Sequence, residues 1–320
     1  MVNVAVVGGT GHVGKTIVEV LHEDPRHSVV ILSRKEAATP EGGAPLVAVD
    51  YTDIESLKTA LEQHKIHTVI SCLGIHEQAT ADVQSNIIKA AEKASTTKRF
   101  IPSNWAISYN PAFDTITPWA LFQNQGPTGL RQTGLEWTEI FPGYFLDYWG
   151  MPRIKSHMTT MLPAIDIAKK VAGIPGTGNE VISFTYTLDV AKIISHTLEL
   201  DTWDEATYIV GDKATWNQFL HLAEEARGSK FEVQYDNEKK LSRFQIIELP
   251  NHKTVYPFFP KEHLQFLYAA LGSLMAKGYF DLPIEKVINQ RFPDVKMLTV
   301  PEMLDDTWKG KQRSSWPARE

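Results

Sequence analysis

The sequence predicts an α/β protein with a Rossmann-type, doubly wound parallel sheet and a smaller, mainly helical C-terminal lobe. Two observations predict this fold. Short apolar runs alternate with amphipathic helical segments through the first half of the chain, and a glycine-rich turn, VVGGTGHVGK at residues 6–15, follows the first run. The runs are nearly continuous in Val, Ile and Leu, as expected for parallel strands that helices cover on both faces.

Five strands are predicted in the first third of the chain, with helices between them. The strands are Val4–Val7, Val29–Leu32, Leu46–Val49, Thr68–Leu73 and Arg99–Ile101. The helices lie in the segments HVGKTIVEVLHE, TDIESLKTALEQH and TADVQSNIIKAAEKA, where apolar residues share one face. A later strand in EVISFTY and a helix in TLDVAKIISHTLEL, at about 180–200, are expected to return to this domain.

The alternation ends near residue 150. The segment GIPGTGN at 173–179 has the composition of a loop. Helices are expected at 215–227 and 261–277, and short strands near 206–210 and 230–235. We therefore divide the chain into an N-terminal Rossmann domain (1–155), a C-terminal lobe (156–310) and a polar tail (311–320).

Composition narrows the function classes. The chain has 320 residues and a formal net charge of −6, which argues against a nucleic-acid-binding surface. No apolar stretch approaches the roughly 20 residues of a membrane span, and the first strand begins too close to Met1 for a signal peptide. Cys72 is the only cysteine, so neither an internal disulfide nor a thiolate metal cluster is expected. These features indicate a cytoplasmic enzyme with no metal, and they leave its oligomeric state open.

The glycine turn is predicted to hold the diphosphate of a dinucleotide. Gly8 can allow a tight turn out of the strand, Gly11 lets the backbone approach the diphosphate, and Gly14 allows close helix–strand packing. The predicted cofactor contacts from this turn are Gly8, Thr10, Gly11, His12 and Val13. The segments after the fourth and fifth strands, and the segment of residues 105–149 that is expected to run through a sixth strand, add Cys72, Leu73, Gly74, Ser103, Asn104 and Tyr144.

The end of the second strand bears on the choice of nicotinamide cofactor. An NAD site usually has Asp or Glu there, whereas this chain reads VVILSRKE and places Arg34 and Lys35 at that point. Two adjacent cations suit a 2′-phosphate, so we predict NADP(H); the alternative is a solvated pair of surface charges. Asp50, at the end of the third strand, is expected either to reach the adenine edge or to cap the following helix.

Several segments together resemble the NmrA-like, isoflavone-reductase-like branch of atypical short-chain dehydrogenases. They are VVGGTGHVG, VILSRK, VAVDYTDIESLKTAL, HTVISCLG, KRFIPSNWA, TGLEWTEIFPGYFLDY, TYTLDVAKIISHTLE and YIVGDKATWNQFLHLAEEARG. The resemblance extends to about residue 305. It implies NADP(H) in the cleft and, in many members, reduction of phenolic or other secondary metabolites; some members instead bind NADP(H) as redox-sensing regulators.

Two catalytic groups expected from this resemblance are missing. Ordinary short-chain dehydrogenases use Tyr-x-x-x-Lys, and the one such spacing here, Tyr235 to Lys239, lies in the C-terminal lobe and is interpreted as a coincidence. Reductases of this branch keep a Lys at the start of the helix before GLxWT, but residues 117–138 contain none. Gln123 in this region can bind a substrate, yet an amide is a poor general acid.

Aromatic residues are concentrated between residues 105 and 149, where we expect loops to border the crevice beyond the strand C-termini. Such a lining suits a large, flat aromatic substrate, including a cationic one. The predicted substrate contacts are Trp105, Gln123, Phe145, Tyr148 and Trp149. Trp137 and Phe141 are expected to lie in the core instead.

Few ionisable side chains are predicted around this crevice. Glu77 follows the fourth strand, Tyr109 the fifth and Asp147 the sixth, and we predict these three as catalytic candidates. A carboxylate held against aromatic rings has a raised pKa and can act as a general acid. The alternative for each is a solvated or capping role. Lys155, in the crossing to the second lobe, is the lysine best placed to swing into the cleft.

Three functions are compatible with these features. The first is an NADP(H)-dependent tailoring enzyme that transfers a hydride to C=N, C=C or C=O of an aromatic, alkaloid-like secondary metabolite. The second is a cyclase or isomerase of the same fold that uses NADP(H) structurally or recycles it. The third is a non-catalytic NADP(H)-sensing regulator. The aromatic crevice favours the first two, and the missing lysine favours the last two.

Overall fold

The N-terminal half of the chain forms a six-stranded parallel sheet in the computed structural model, which describes residues 1–34 and 43–311. The strands are β1 (Val2–Val7), β2 (His27–Ser33), β3 (Leu46–Ala48), β4 (Thr68–Ser71), β5 (Arg99–Ile101) and β6 (Glu136–Trp137). Their order is β3-β2-β1-β4-β5-β6, so the winding reverses between β1 and β4. This confirms the predicted doubly wound fold, in which ligands bind beyond the carboxyl ends of the strands at the reversal.

Helices cover both faces of this sheet. The helices of the N-terminal half are α1 (His12–Glu23), α2 (Ile54–Gln63), α3 (Gln78–Lys93) and α4 (Ala120–Leu130). On one face, Leu57 of α2 and Ile87 of α3 pack with Val7 of β1. On the other face, Ile17 of α1 packs with Val6 in a separate core. The central strands β1, β2 and β4 are therefore largely buried between helices, which explains their continuous apolar sequences.

The remainder of the chain contributes three small sheets and further helices. The strands are β7 (Glu139–Phe141), β8 (Tyr144–Phe145), β9 (Ile165–Asp166), β10 (Val171–Pro175), β11 (Val181–Thr185), β12 (Ala206–Tyr208), β13 (Asp212–Thr215) and β14 (Glu232–Asp236). They pair in the orders β14-β10-β9, β13-β11-β8 and β12-β7. The helices are α5 (Asp147–Gly150), α6 (Thr187–Thr197), α7 (Trp216–Arg227), α8 (Glu238–Leu241), α9 (His252–Val255), α10 (Lys261–Ala276) and α11 (Val300–Trp308). Short 3-10 helices lie at Pro111–Phe113, Ile284–Lys286 and Ile288–Arg291.

Helix α6 returns to the N-terminal sheet. It packs along α1, and its residues Val190 and Ile194 join the core between α1 and the sheet. The preceding strand, β11, pairs with β8 and β13 rather than with the six-stranded sheet. Helix α6, which lies after residue 155, thus packs against α1, the helix that follows the glycine turn. The domain boundary near residue 155 stays a prediction.

One predicted loop is a strand. Gly173–Pro175, within the segment expected to be irregular, belongs to β10, which pairs in parallel with β14. A Cβ at Gly173 would lie 2.9 Å from the Cβ of Ile247. The glycine therefore allows a close approach by another segment, and the actual turn begins at Gly176, where φ is +67°. In the described ranges, no helix combines the length and apolar character needed to cross a membrane.

Candidate active site

The glycine turn has the geometry expected for binding a dinucleotide. Gly8 has a φ of +74°, and a Cβ there would lie 2.7 Å from the carbonyl oxygen of Cys72. A Cβ at Gly14 would lie 2.2 Å from the carbonyl oxygen of Gly8, so only glycine permits this contact of α1 with the turn. Gly11 is the N-cap of α1 and donates its N–H to Gly8 at 2.9 Å.

The N-terminus of α1 is suited to an anion. No side chain caps this helix, and its first backbone N–H groups lack partners within the helix. Such groups, together with the helix dipole, bind the phosphates of dinucleotides. Thr10 and His12 are exposed beside them. The residues present therefore fit a dinucleotide diphosphate, with Gly11, His12 and Val13 supplying backbone contacts.

His12 also anchors the segment that crosses from one lobe to the other. Its ring lies 2.9 Å from the carbonyl oxygen of His157 and 3.2 Å from the hydroxyl of Thr159. The His157 ring in turn bonds Glu19 of α1 at 2.7 Å, and the ammonium of Lys155 pairs with the same carboxylate. Lys155 is thus held on the outer surface of α1, and the structure does not bring it into the cleft.

A cleft of about 470 Å³ extends from the glycine turn towards the end of β2. Its lining includes the predicted cofactor contacts Gly8, Thr10, Arg34, Leu73 and Gly74, and also Ser33, Tyr51, Thr80 and Val83. The guanidinium of Arg34 is exposed at this cleft. Lys35, predicted beside it, lies outside the described residues. The cleft fits the adenosine half of a dinucleotide.

Tyr51 is a lining residue that the sequence analysis missed. Its hydroxyl donates to the carbonyl oxygen of Leu32 at 2.7 Å, and burial raises the pKa of this phenol to about 12. The ring therefore forms a fixed wall of the cleft. The sequence position of Tyr51 could have indicated this role, because Tyr51 directly follows Asp50, one of whose predicted roles is to reach the adenine edge from the end of the third strand.

Asp50 does not cap the helix that follows. Asp53 is the N-cap of α2 and accepts from the N–H groups of Glu55 and Ser56. Asp50 instead accepts from the backbone N–H of Thr52 at 2.8 Å and from its hydroxyl at 2.7 Å, which lowers the pKa of Asp50. The capping alternative is wrong, and a contact with adenine stays a prediction.

Hydrogen bonds hold together the loops that follow β4 and β5. Ser103 donates to the carbonyl oxygen of Leu73 at 2.6 Å, and the indole N–H of Trp105 donates to Ser71 at 3.2 Å. Asn104 donates to Glu139 at 2.7 Å, where burial raises the pKa of the carboxyl group. Cys72 lies between these loops, and burial raises the pKa of its thiol, so it is not a nucleophile. These contacts build a fixed floor at the carboxyl edge of the sheet.

An aromatic cavity of about 80 Å³ lies beyond this edge, between the two lobes. Its lining includes Tyr109, Phe113, Trp119 and Phe280, together with the amide side chains of Asn104 and Gln123. An apolar cavity of about 150 Å³ holds one benzene molecule. A polycyclic substrate would therefore have to displace lining side chains as it enters. We call this space the aromatic cavity.

The three predicted catalytic residues lie in different surroundings. Tyr109 lines the aromatic cavity, and its hydroxyl donates to Asp114 at 2.6 Å, which raises the pKa of the phenol. Glu77 is exposed at the N-cap of α3, and its carboxylate makes no capping hydrogen bond. The structure does not bring these two side chains and Asp147 together.

The prediction for Asp147 needs correction. Its side chain is fully buried, and one oxygen accepts from the hydroxyls of Ser156 at 2.6 Å and Thr187 at 2.5 Å. The other oxygen accepts from the backbone N–H of Thr187 at 2.9 Å. Burial raises the pKa of Asp147, as predicted, but both oxygens are occupied within the protein. Asp147 therefore acts as a tertiary cap on the N-terminus of α6.

Two predicted substrate contacts lie in the core. Trp149 is 1% exposed, donates its indole N–H to Ile165 at 3.1 Å and packs with Phe219 at a ring distance of 5.0 Å. This burial leaves Trp149 no surface for a substrate, which corrects the prediction. Phe145 is likewise buried, in the core beside α1 and α6. Trp137 and Phe141 are buried as expected.

Comparisons with known proteins agree with this geometry. An NAD(P)H-binding family model matches residues 8–164. An isoflavone reductase-like protein of Olea europaea is 25% identical over 317 residues, 94% of this chain and 97% of that protein. Oxidoreductase BOA1 of Botryotinia fuckeliana is 30% identical over 300 residues, 92% of this chain and 96% of that protein. The chain belongs to the NmrA-like, isoflavone-reductase-like family of NAD(P)H-binding oxidoreductases.

Further members share nearly the full length of the chain. Oxidoreductase swnN of Metarhizium robertsii is 27% identical over 339 residues, 98% of this chain and 99% of that protein. Among solved structures, the complex of leucoanthocyanidin reductase with NADPH from Vitis vinifera has a TM-score of 0.73 at 18% identity over 95% of this chain and 98% of that one. AtPrR2 with NADP+ and (+)-pinoresinol has a TM-score of 0.71 at 21% identity over 95% and 98%. The fold of the isoflavone-reductase-like family therefore covers both lobes.

Within this isoflavone-reductase-like fold, the lack of a lysine at 117–138 has a structural consequence. The first turns of α4 direct Gln123 to the aromatic cavity, and the described lining contains no Lys, Arg, His, Asp or Glu. Tyr109 is the one ionisable side chain found among those lining residues. Any proton required by a reaction in this cavity must therefore come from a phenol, from water or from the substrate.

Proposed function

We propose that the protein is an NADP(H)-dependent reductase of an aromatic secondary metabolite. The chain is an NAD(P)H-binding oxidoreductase by family, and the aromatic cavity carries the proposal for its substrate. The cavity lies beyond the carboxyl ends of the strands, next to the loop that follows β5, where doubly wound enzymes bind the reacting half of their ligands. The acceptor bond is C=N, C=C or C=O.

The lining of the cavity supports an aromatic substrate. Four aromatic rings surround it, and the rings of Tyr109 and Phe113 already meet edge to face at 6.2 Å. Aromatic rings prefer such edge-to-face contacts with one another, so they bind a planar ring with defined orientation. The amides of Asn104 and Gln123 add hydrogen-bonding groups without adding charge. In this arrangement the protein orients a flat substrate and excludes water from it.

Bound NADPH would supply a hydride to the substrate. The chain's own contribution is to hold the two molecules against each other. The glycine turn and the N-terminus of α1 fix the diphosphate, and the bonded loops after β4 and β5 form the floor between the cofactor and the substrate. Fixing two reactants in this way replaces a bimolecular encounter with a unimolecular step.

The choice of NADP(H) over NAD(H) rests on Arg34. Its guanidinium is exposed at the cleft that fits the adenosine, and neither Asp nor Glu lines the described part of that cleft to bind ribose hydroxyls. Arg binds phosphate through charge-assisted hydrogen bonds, often two at once. Structures of the family solved with NADPH and with NADP+ support the same choice.

Transfer of label tests the proposed reaction. The purified protein is incubated with a metabolite extract and NADPH that carries deuterium at the transferable position. A reductase consumes NADPH and yields a product that contains deuterium, which mass spectrometry detects. A product with the mass of its substrate and no NADPH consumption would contradict reduction and indicate the redox-neutral cyclase or isomerase.

Arg34→Ala is expected to weaken NADPH binding roughly ten- to a hundredfold, because a charge-assisted hydrogen bond contributes about 1.5–3 kcal/mol. Binding of NADH should barely change, since NADH has no 2′-phosphate. Calorimetric titration with both cofactors measures the two dissociation constants. Arg291→Ala, an exposed arginine away from this cleft, is the charge-matched control. Equal affinity of the wild-type protein for NADPH and NADH would contradict the assignment.

A further inference from the structure

Three tyrosines, two of them buried and one half-buried, lie near the aromatic cavity with their hydroxyls unpaired. Tyr144 is 8% exposed and Tyr268 is 1% exposed, and Tyr148 is half-buried between them and the sheet. The hydroxyl of Tyr268 has no hydrogen-bond partner. Within the described residues, neither of the other two phenols bonds a protein group. We call these residues the phenol cluster.

The phenol cluster lies where the two lobes meet. Tyr148 contacts both the core beside α1 and the core of the C-terminal lobe. The rings of Tyr144 and Tyr148 are 5.5 Å apart, and Tyr144 is 6.0 Å from Phe280, which lines the aromatic cavity. Tyr268 is on α10, one turn before Leu271, another residue of that lining. The cluster therefore borders the cavity from the side of the C-terminal lobe.

Leaving the fully buried Tyr268 hydroxyl in this state is costly for the protein. A buried hydroxyl with no partner costs about 1–3 kcal/mol. Burial also raises the pKa of all three phenols, with a smaller contribution from Tyr148 at the other two and from Asp147 at Tyr148, so they remain protonated donors at neutral pH. The neighbouring His252, whose ring packs 5.0 Å from Tyr268, does not satisfy this hydroxyl, since both of its ring nitrogens are bonded, to Leu249 and to Leu162.

We infer that the phenol cluster is the site that binds a carbonyl oxygen of the substrate and donates hydrogen bonds to it as negative charge develops there. Donors that are fixed in place before the reaction stabilise such a charge most effectively in a site that excludes water. This inference rests on the proposed function and narrows it. The substrate would be a ketone, an aldehyde or an α,β-unsaturated carbonyl compound on an aromatic framework.

The inference also explains how reduction can proceed without a lysine. Hydride addition would form the new C–H bond as a C–H bond of bound NADPH breaks and leaves NADP+, and the π pair of the C=O bond would move onto oxygen. One phenol O–H bond breaks as its proton passes to that oxygen, and water returns a proton to the phenolate. An iminium substrate fits less well, because the described lining of the aromatic cavity holds no carboxylate to pair with its charge.

Binding of 4-nitrophenol tests the phenol cluster without turnover. Its ionised form carries negative charge on oxygen and absorbs visible light, so a titration at several pH values separates binding of the phenolate from binding of the neutral phenol. The wild-type protein is expected to bind the phenolate more tightly. Tyr268→Phe and Tyr148→Phe are each expected to weaken phenolate binding about tenfold or more, the loss of one hydrogen bond to a charged group.

Thermal unfolding provides the second measurement. Tyr268→Phe removes an unpaired buried hydroxyl and is expected to raise or maintain Tm while it weakens phenolate binding. Tyr235→Phe is the matched control, because Tyr235 is 48% exposed on β14 and its hydroxyl bonds Asn217. That control should leave phenolate binding unchanged.

Two results would overturn the inference. One is a wild-type protein that prefers neutral 4-nitrophenol to its phenolate. The other is a Tyr268→Phe variant with lower Tm and unchanged phenolate binding, which would show that bound water satisfies the hydroxyl for structural reasons only. Failure of the reductase function is distinguishable, since a protein that transfers no deuterium can still bind the phenolate through these hydroxyls.

Discussion

Gly14→Ala is expected to lower the free energy of unfolding by about 3 kcal/mol, a fall of about 4–5 °C in Tm. An added Cβ would lie 2.2 Å from the carbonyl oxygen of Gly8 and 2.8 Å from the Cα of Gly9. Both are backbone atoms, so no side chain can rotate away from the new methyl group. The turn or α1 must shift instead, and NADPH affinity should fall with stability. Thermal unfolding and calorimetry measure the two effects.

Gly129→Ala is the matched control. Gly129 lies in α4, and nothing is found within 4 Å of a Cβ built there. Alanine at this position should stabilise the protein by about 0.5–1 kcal/mol, because it restricts the unfolded chain and favours the helix. If the Gly14→Ala variant kept the stability and the NADPH affinity of the wild-type protein, the prediction would be wrong. Close packing of α1 on the strand would then not be what fixes the glycine turn.

The glycine turn could be predicted because its signals are local. An apolar strand, three glycines and an amphipathic helix follow one another within 23 residues, and helix α1 has the bounds that the sequence indicated. The strands of the sheet were also located to within about two residues, since continuous apolar runs mark strands buried on both faces. These features do not depend on distant parts of the chain.

Features that depend on distant contacts could not be predicted. Gly173 lies in a segment with the composition of a loop, but its role as a strand residue depends on the packing of Ile247 against it. Asp147 was recognised as a buried carboxylate beside aromatic rings, yet its partners, Ser156 and Thr187, could not be read from its own segment. Tyr268 was missed because an unpaired hydroxyl and an ordinary core tyrosine have the same local sequence pattern.

Asp147→Ala is expected to destabilise the protein by about 3 kcal/mol or more, again about 4–5 °C or more in Tm. The substitution leaves the hydroxyls of Ser156 and Thr187 and the backbone N–H of Thr187 without their buried acceptor. Because α6 packs along α1, loosening the N-terminus of α6 should also weaken NADPH binding. Asp305→Ala is the control, since Asp305 is an exposed partner of Lys309 and surface ion pairs contribute about 0–1 kcal/mol.

Asp147→Asn separates the structural role from the catalytic role first predicted. The amide oxygen can still accept from the backbone N–H of Thr187, and the amide nitrogen can donate to the hydroxyls of Ser156 and Thr187, which accept as readily as they donate. The variant should therefore keep most of its stability and a kcat within a few-fold of wild type. An amide cannot exchange protons as a general acid or base, so a catalytic Asp147 would instead lose about a hundredfold or more in kcat. A loss of that size at wild-type Tm, with saturating NADPH, would show that Asp147 takes part in the reaction. Normal turnover would leave Tyr109 and the phenol cluster as the proton donors nearest the aromatic cavity.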